Sequence, residues 1–290
     1  MATSVTAGFN EMRDGFPLTK IQNDSAATKF ANIRDFFNEK FTMAEPAIAV
    51  GSCARGSIIR IERDIDILAP ISYSTYKKTT YDRDSQAFLY MVRDALNNKF
   101  GTTSVSSKRV AVKLDFSTIA VDVVPCFRRE GGGYFMPDGS GAWMPTNPPF
   151  HTEFMRAANA KHQLRLRPLV KLMKFWNISN GHHLSSLHVE LMTERIWRDS
   201  NFRESLYSQL VFESLKCMAS WTKTPFSDPW DQGHAIDVNL PSKERALAIR
   251  MLNEDAENAR KAEEFRKNGQ IEQAFDRWAV IFNHKFPAFG

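Results

Sequence analysis

Gly51-Ser52-Cys53-Ala54-Arg55-Gly56-Ser57, followed by Asp64-Ile65-Asp66, is the stretch on which the reading of this sequence turns. Glycines at 51 and 56 let the backbone turn tightly and approach a ligand. Main-chain N–H groups and the Ser52 hydroxyl can then hold a phosphate oxygen, which makes the loop a candidate triphosphate cradle. The segments on either side, 47–50 and 65–71, are short and rich in Val and Ile, as strands are. In a strand, residues two apart share a face, so Asp64 and Asp66 point one way while Ile65 and Ile67 point into a core.

A third acidic residue interrupts an apolar strand in Val121-Asp122-Val123-Val124-Pro125. Where this strand neighbours the one bearing Asp64 and Asp66, three carboxylates converge on one patch. Anionic carboxylates packed together raise one another's pKa values and repel unless a cation neutralises them, and all-oxygen ligation favours magnesium or manganese. A DxD pair alone is weak evidence. Gly-Ser, then Asp-x-Asp, then a distant aspartate bracketed by valines is a far more specific combination.

The chain around these motifs divides by character. Phe30, Ile33, Phe36 and Phe37 recur at helical spacing after Asn23-Asp24-Ser25, which predicts an amphipathic helix over 25–41. Strands are predicted over 109–116 and 119–127, with a helix over 84–99. Residues 130–149 collect Gly131-Gly132-Gly133, Pro137-Asp138-Gly139 and Pro145 through Pro149, which is turn chemistry suited to a crossing between lobes. Helical periodicity then covers 151–162, 164–179, 186–198, 203–221, 243–267 and 270–283. The expected fold class is α+β, with residues 1–150 as one lobe and 151–290 as a helical lobe. No internal repeat or low-complexity tract is present.

The bulk properties agree. A chain of 290 residues that is 43% hydrophobic and 12% aromatic has ample core material. The formal charge of +5 suits a protein that handles polyphosphates, though no Lys/Arg block or RNA-binding motif accompanies it. No stretch approaches the roughly 18 apolar residues of a membrane span, and the charged N-terminus lacks a secretory core, so a cytoplasmic protein with no membrane partner is expected. Cys53, Cys126 and Cys217 form no CxxC pair, which argues against a disulfide framework or a structural zinc site. His182-His183 and His188 also lack the companions a zinc site needs.

Gly51-Ser52 with Asp64-x-Asp66, and Asp122 within its Val-rich strand, resemble the signature of the DNA polymerase beta type nucleotidyltransferase superfamily. Leu169-Val170-Lys171-Leu172-Met173-Lys174-Phe175-Trp176 and Ser185-Ser186-Leu187-His188-Val189-Glu190-Leu191 resemble the corresponding segments of cyclic GMP-AMP synthase-like enzymes. Order and size suit the bacterial members that make cyclic oligonucleotides in anti-phage defence. The resemblance spans roughly 45–195. It implies a two-lobed nucleotidyltransferase fold, in which a small mixed-sheet catalytic lobe and a helical bundle flank an active-site cleft.

Carried over position by position, the resemblance makes Asp64, Asp66 and Asp122 the catalytic, metal-holding carboxylates for two Mg2+ ions, with Mn2+ as the alternative. Gly51 and Ser52 would hold the terminal phosphates, and Lys174 and Ser186 would contact the triphosphate. Lys171, three residues from Lys174, could share that helix face or serve as an ordinary surface charge. The implied reaction joins ribonucleoside triphosphates into a cyclic di- or trinucleotide and releases pyrophosphate, with no nucleic acid required. Some of the enzymes resembled are joined through their C-terminal carboxylate to other molecules, which makes Gly290, on an expected mobile tail, a candidate conjugation site, with an ordinary frayed end as the alternative.

Two departures bear on this. Ser57 replaces a threonine and keeps the hydroxyl. Leu187 stands where relatives often carry a tyrosine that stacks on a base, so base recognition falls to other residues, with Tyr134, Trp143 and Phe150 as candidates. An RNA- or tRNA-directed nucleotidyltransferase and a catalytically idle nucleotide-binding module remain open as alternatives. Base identity, linkage and ring size are not written in these motifs.

Overall fold

The computed structural model describes residues 2–62, 64–76, 80–101, 103–199 and 206–290. They form two compact units, one of Leu18–Phe154 and one of Met1–Pro17 with Met155–Gly290. The first helix, α1 (Val5–Asp14), therefore clusters with the helical unit, whereas the sequence assigned all of 1–150 to the other lobe. Its Val5, Phe9 and Met12 are buried, and Phe9 meets Trp278 edge-on at 4.9 Å. That i, i+4, i+7 stripe fits a packed helix face, but its partner lies near the opposite end of the chain.

The Leu18–Phe154 unit opens with α2 (Lys20–Lys40), continues through β1 (Ile48–Val50), α3 (Gly51–Arg55), β2 (Asp64–Ile71) and α4 (Tyr73–Tyr76), and reaches α5 (Ser85–Lys99). Five further strands follow, β3 (Ser104–Lys108), β4 (Ala111–Asp115), β5 (Ala120–Arg128), β6 (Tyr134–Pro137) and β7 (Trp143–Thr146). The sheet runs β1-β2-β5-β4-β3, and β6 pairs with the far end of β5 and with β7. The β2–β5 pairing is parallel and every other pairing is antiparallel, giving the expected mixed sheet. Strand alternation divides its two faces. Ile65, Ile67, Val112, Leu114, Val121 and Val123 join one core with Ile33, Phe36 and Phe37 of α2 and Phe88, Leu89 and Val92 of α5. Leu68, Cys126, Val50 and Tyr134 form a smaller cluster.

Several expectations shift. Helix α2 begins at Lys20, and Asn23-Asp24-Ser25 lies inside it. The cap is Thr19, whose hydroxyl accepts from the Gln22 N–H at 3.2 Å while the Gln22 side chain accepts from the Thr19 N–H at 2.9 Å. This reciprocal box satisfies two orphan donors and outcompetes the later polar cluster. The 130–149 stretch is not all crossing segment. Its three glycines make the turn of the β5–β6 hairpin, with the Arg129 N–H donating to the Gly133 carbonyl at 3.0 Å. Of the suggested base-stacking aromatics, Trp143 instead packs on Phe127 at 4.8 Å, and the Tyr134 hydroxyl donates to Glu45.

From Pro148 the chain is helical, through α6 (Pro148–Lys161), α7 (Leu166–Ser179), α8 (Ser186–Asp199), α9 (Tyr207–Trp221), α10 (Ser242–Lys267) and α11 (Ile271–Ile281). These match the expected helices, and residues 203–205 of one of them lie outside the described residues. No described helix is long and apolar enough to cross a membrane. The expected mobile tail is tied down. Phe286 is buried and stacks on Phe282, the Ala2 N–H donates to the Ala288 carbonyl at 3.1 Å, and the Gly290 N–H reaches the Ala2 carbonyl at 3.4 Å.

Replacing Thr19 with Ala removes the capping box and should destabilise the Leu18–Phe154 unit by about 1 kcal/mol. Urea unfolding of Thr19→Ala should show that loss, whereas Ser25→Ala should stay within about 0.5 kcal/mol of wild type.

Candidate active site

The register of the sheet assembles the site. Val50 pairs with Asp66 across β1 and β2, Asp66 pairs with Asp122 across β2 and β5, and Asp122 pairs with Lys113 across β5 and β4. Asp64 lies two residues before Asp66, beside Ala120. Because Ile65, Ile67, Val121 and Val123 are held in the core, alternation places Asp64, Asp66, Asp122 and Lys113 together on the opposite face. Only the parallel β2–β5 pairing in this register sets Asp66 directly beside Asp122.

Gly51 closes one side of that face. It has φ +68°, and a Cβ built there would fall 1.7 Å from Oδ2 of Asp66. The carboxylate thus rests against the glycine backbone, where no larger residue fits. The expected loop is the short helix α3, which ends at Gly56 in the left-handed region with φ +69°. The Ser52 carbonyl accepts from the N–H groups of Ser57 and Ile58 at 2.9 and 3.1 Å, folding the end of the turn back on its start. Ser52 and Arg55 are both buried in this turn.

Electrostatics follow from the crowding. Burial, followed by the negative charges of Asp64 and Asp122, pushes the Asp66 carboxyl up to about 7, with Arg55 pulling in the opposite direction. Burial and then Asp66 also raise the Cys53 thiol, so it is held as the neutral acid. Among the described residues, no group of three or more His, Cys, Asp or Glu side chains is arranged as it stands to hold a metal ion. The Asp66 carboxylate is instead turned onto Gly51. The donor chemistry and mutual repulsion of the three carboxylates nonetheless fit a hard divalent cation, which would offset the cost now met by holding Asp66 near its protonated form.

Gly51, Ser52, Asp64, Asp66 and Asp122 are therefore gathered in one unit. Lys174 and Ser186 belong to the other. Lys174 is 1% exposed, with its Nζ 3.8 Å from Oε1 of the fully buried Glu190. Lys171 instead lines a concavity with Arg13, Asp14 and Arg167, so the two lysines do not act as a pair on one surface. Two charged residues received no role from the sequence. Arg55 sits inside the quoted motif, and its influence on Asp66 depends on α3 folding back. Lys113 is a charge in an apolar strand, the same kind of signal that exposed Asp122, but its position beside Asp122 depends on the antiparallel register of β4.

In metal-free protein, Asp66 titrates near 7 when folded and near its ordinary 3.8 when unfolded. The unfolded state releases this proton first as pH rises, so the group lowers stability from about pH 4 to about pH 7 and no further above that. Asp66→Asn should therefore exceed wild type in stability by on the order of 3 kcal/mol at pH 7.5 with chelator, and by much less at pH 4.5. Denaturant unfolding at the two pH values checks this, and an equal difference at both would remove the buried acid from the account.

Lys174→Ala removes a buried positive charge 3.8 Å from the buried Glu190 and should cost about 3 kcal/mol of stability, whereas Lys171→Ala should cost less than about 0.5 kcal/mol. Thermal melts of the two variants provide the comparison.

With this geometry in place, the comparisons with known proteins align. A cyclic AMP-AMP-AMP synthase of Acinetobacter sp. is 28% identical over 233 residues, covering 77% of this chain and 65% of the relative. A protein of the same name from Escherichia coli is 27% identical over 58% of this chain and 57% of its own length. The chain thus spans under two thirds of the length of these curated relatives. Among solved structures, E. coli MS115-1 CdnC with ATP superposes with a TM-score of 0.77 at 17% identity, covering 98% of both chains. Vibrio cholerae DncV cyclic AMP-GMP synthase, described as a prokaryotic cGAS homolog, gives 0.64 at 14% identity over 83% of this chain and 69% of its own. Residues 3–159, the stretch that contains the carboxylate row and α3, match the SMODS family model, and the chain belongs to this Second Messenger Oligonucleotide or Dinucleotide Synthetase domain family.

Proposed function

We propose that the protein joins ribonucleoside triphosphates into a cyclic di- or trinucleotide and releases pyrophosphate, acting in the cytoplasm as a defence-type second-messenger synthase. The observation that carries this reading is the in-register pairing of Asp66 with Asp122 on parallel strands, with Asp64 on the same face and Gly51 against the Asp66 carboxylate. Family membership supports it. Two relatives are named cyclic AMP-AMP-AMP synthase, so ATP is the first substrate to test.

In this reading Asp64, Asp66 and Asp122 hold two divalent cations, magnesium or manganese. Bound there, the ions supply charge to the phosphates and acidify the attacking hydroxyl. The chain's own groups do the rest. Asp122 orients the attacking ribose hydroxyl and accepts its proton on a carboxylate oxygen. Gly51 allows close approach, and the Ser52 hydroxyl steadies the terminal phosphates. Lys174 and Ser186 complete triphosphate binding, for which Lys174 would exchange its 3.8 Å contact with Glu190 for phosphate oxygens. The reaction is in-line displacement at the α-phosphorus, and repetition within one site closes the ring. Attachment through Gly290 belongs to the same proposal and would require its pairing with Ala2 to open.

Incubation with labelled ribonucleoside triphosphates and magnesium, with and without RNA, tests the assignment. Cyclic product without RNA is expected. Extension of RNA alone would identify an RNA-directed enzyme, and no consumption under any condition would identify an idle module. Asp64→Asn with Asp66→Asn should abolish product, at least about 100-fold below wild type, while the metal-free melting temperature holds or rises because repulsion is removed. Product formation within a few fold of wild type would exclude the site.

A further inference from the structure

Asp122 lies between opposite charges. On the β2 side it faces Asp66, and on the β4 side it faces Lys113, directly opposite in register. Directly opposed residues on one face of an antiparallel pair have Cβ atoms about 5 Å apart, well within the reach of a lysine side chain. Lys113 also has a second acidic neighbour. Its Nζ lies 3.1 Å from Oδ1 of Asp115, two residues along the same strand and therefore on the same face. The Lys113 side chain is 22% exposed and that of Asp115 is 48% exposed, so the pair sits at the edge of the carboxylate row.

We propose that Lys113 is a positioning residue for Asp122, a countercharge set opposite that carboxylate in register and held aside from it by Asp115, so that a cation can take the place beside Asp122. This rests on the reading that the three aspartates hold a divalent cation. The reasoning is electrostatic. Asp66 has Arg55 as an opposing positive charge, and the influences acting on its carboxyl include Asp64, Asp122 and Glu62 but not Lys113. The register sets Lys113 directly opposite Asp122, while its ammonium lies on Asp115 at 3.1 Å. An ammonium beside Asp122 relieves repulsion in the empty site, yet it repels an incoming dication unless it can move. Asp115 supplies the alternative partner on the far side.

The inference predicts opposite effects for two neighbouring substitutions. Lys113→Met removes the competing charge, so Mn2+ binding without nucleotide should tighten about fivefold. Lys113→Arg keeps the charge and should retain wild-type affinity. Asp115→Asn removes the partner that holds Lys113 aside, frees the ammonium to compete at Asp122, and should weaken Mn2+ binding by a similar factor.

The double variant decides between routes. If Asp115 acts through Lys113, it has no effect once Lys113 is gone, and the double variant should match Lys113→Met. If both residues merely add to the long-range field, their losses cancel and the double variant returns to wild type. The experiment is a titration of the full chain with Mn2+ followed by electron paramagnetic resonance, with melting curves to confirm that each variant is folded. Opposite shifts, wild-type affinity in the conservative Lys113→Arg variant and a double variant equal to Lys113→Met support the proposal. A double variant at wild-type affinity, or single variants that leave affinity unchanged while wild type binds Mn2+, overturns it. Failure of wild type to bind Mn2+ overturns the metal reading itself and this inference with it.

Discussion

The constraint on which the site depends is the placement of like charges side by side on a partly buried sheet face. Asp66 and Asp122 are neighbours because β2 and β5 run parallel in one register, and that register is set on the reverse side by Ile65, Ile67, Val121 and Val123 against α2 and α5. A slip of one residue would exchange every side chain between faces and bury the carboxylates in the core. The apolar face thus fixes the register firmly enough to tolerate the repulsion that the polar face creates. The energetic consequence appears at Asp66, held near its protonated form, and is moderated by Arg55 from the turn of α3.

The same constraint explains the α3 turn. With Oδ2 of Asp66 lying where a Cβ at position 51 would be, the residue there has no side chain, and its φ of +68° suits glycine independently. Gly56 then reverses the chain so that Ser57 and Ile58 bond back to Ser52. A Gly-Ser pair preceding an Asp-x-Asp strand is therefore one mechanical unit, in which one glycine admits the carboxylate and another closes the turn.

This unit was legible in the sequence because its residues are close along the chain and their chemistry is unusual for a strand. Asp122 was legible for the second reason alone. Lys113 shows the limit. It stands in a strand that the sequence identified, but its meaning comes from pairing with β5, and register cannot be read from either strand separately. Helix α1 was lost in the same way, since the Trp278 and Phe286 that bury Phe9 come from the other end of the chain. The β6–β7 hairpin was concealed by its own glycines and prolines, which marked turns correctly and hid two four-residue strands between them.

Lys174 shows how a motif can be recognised while its local environment stays hidden. Periodicity placed it on a helix, and resemblance gave it a phosphate to bind, but α7 carries it into the interior of its own unit, where Glu190 of α8 is its acidic neighbour. A lysine and a glutamate buried together at 3.8 Å are mutually dependent, because each offsets part of the cost of burying the other. In the proposed reading, a triphosphate would offer the lysine more negative charge than one carboxylate does, and the exchange would take from Glu190 the ammonium now 3.8 Å away. Any phosphate binding by Lys174 would thus be coupled to the state of Glu190, because the two share one buried contact.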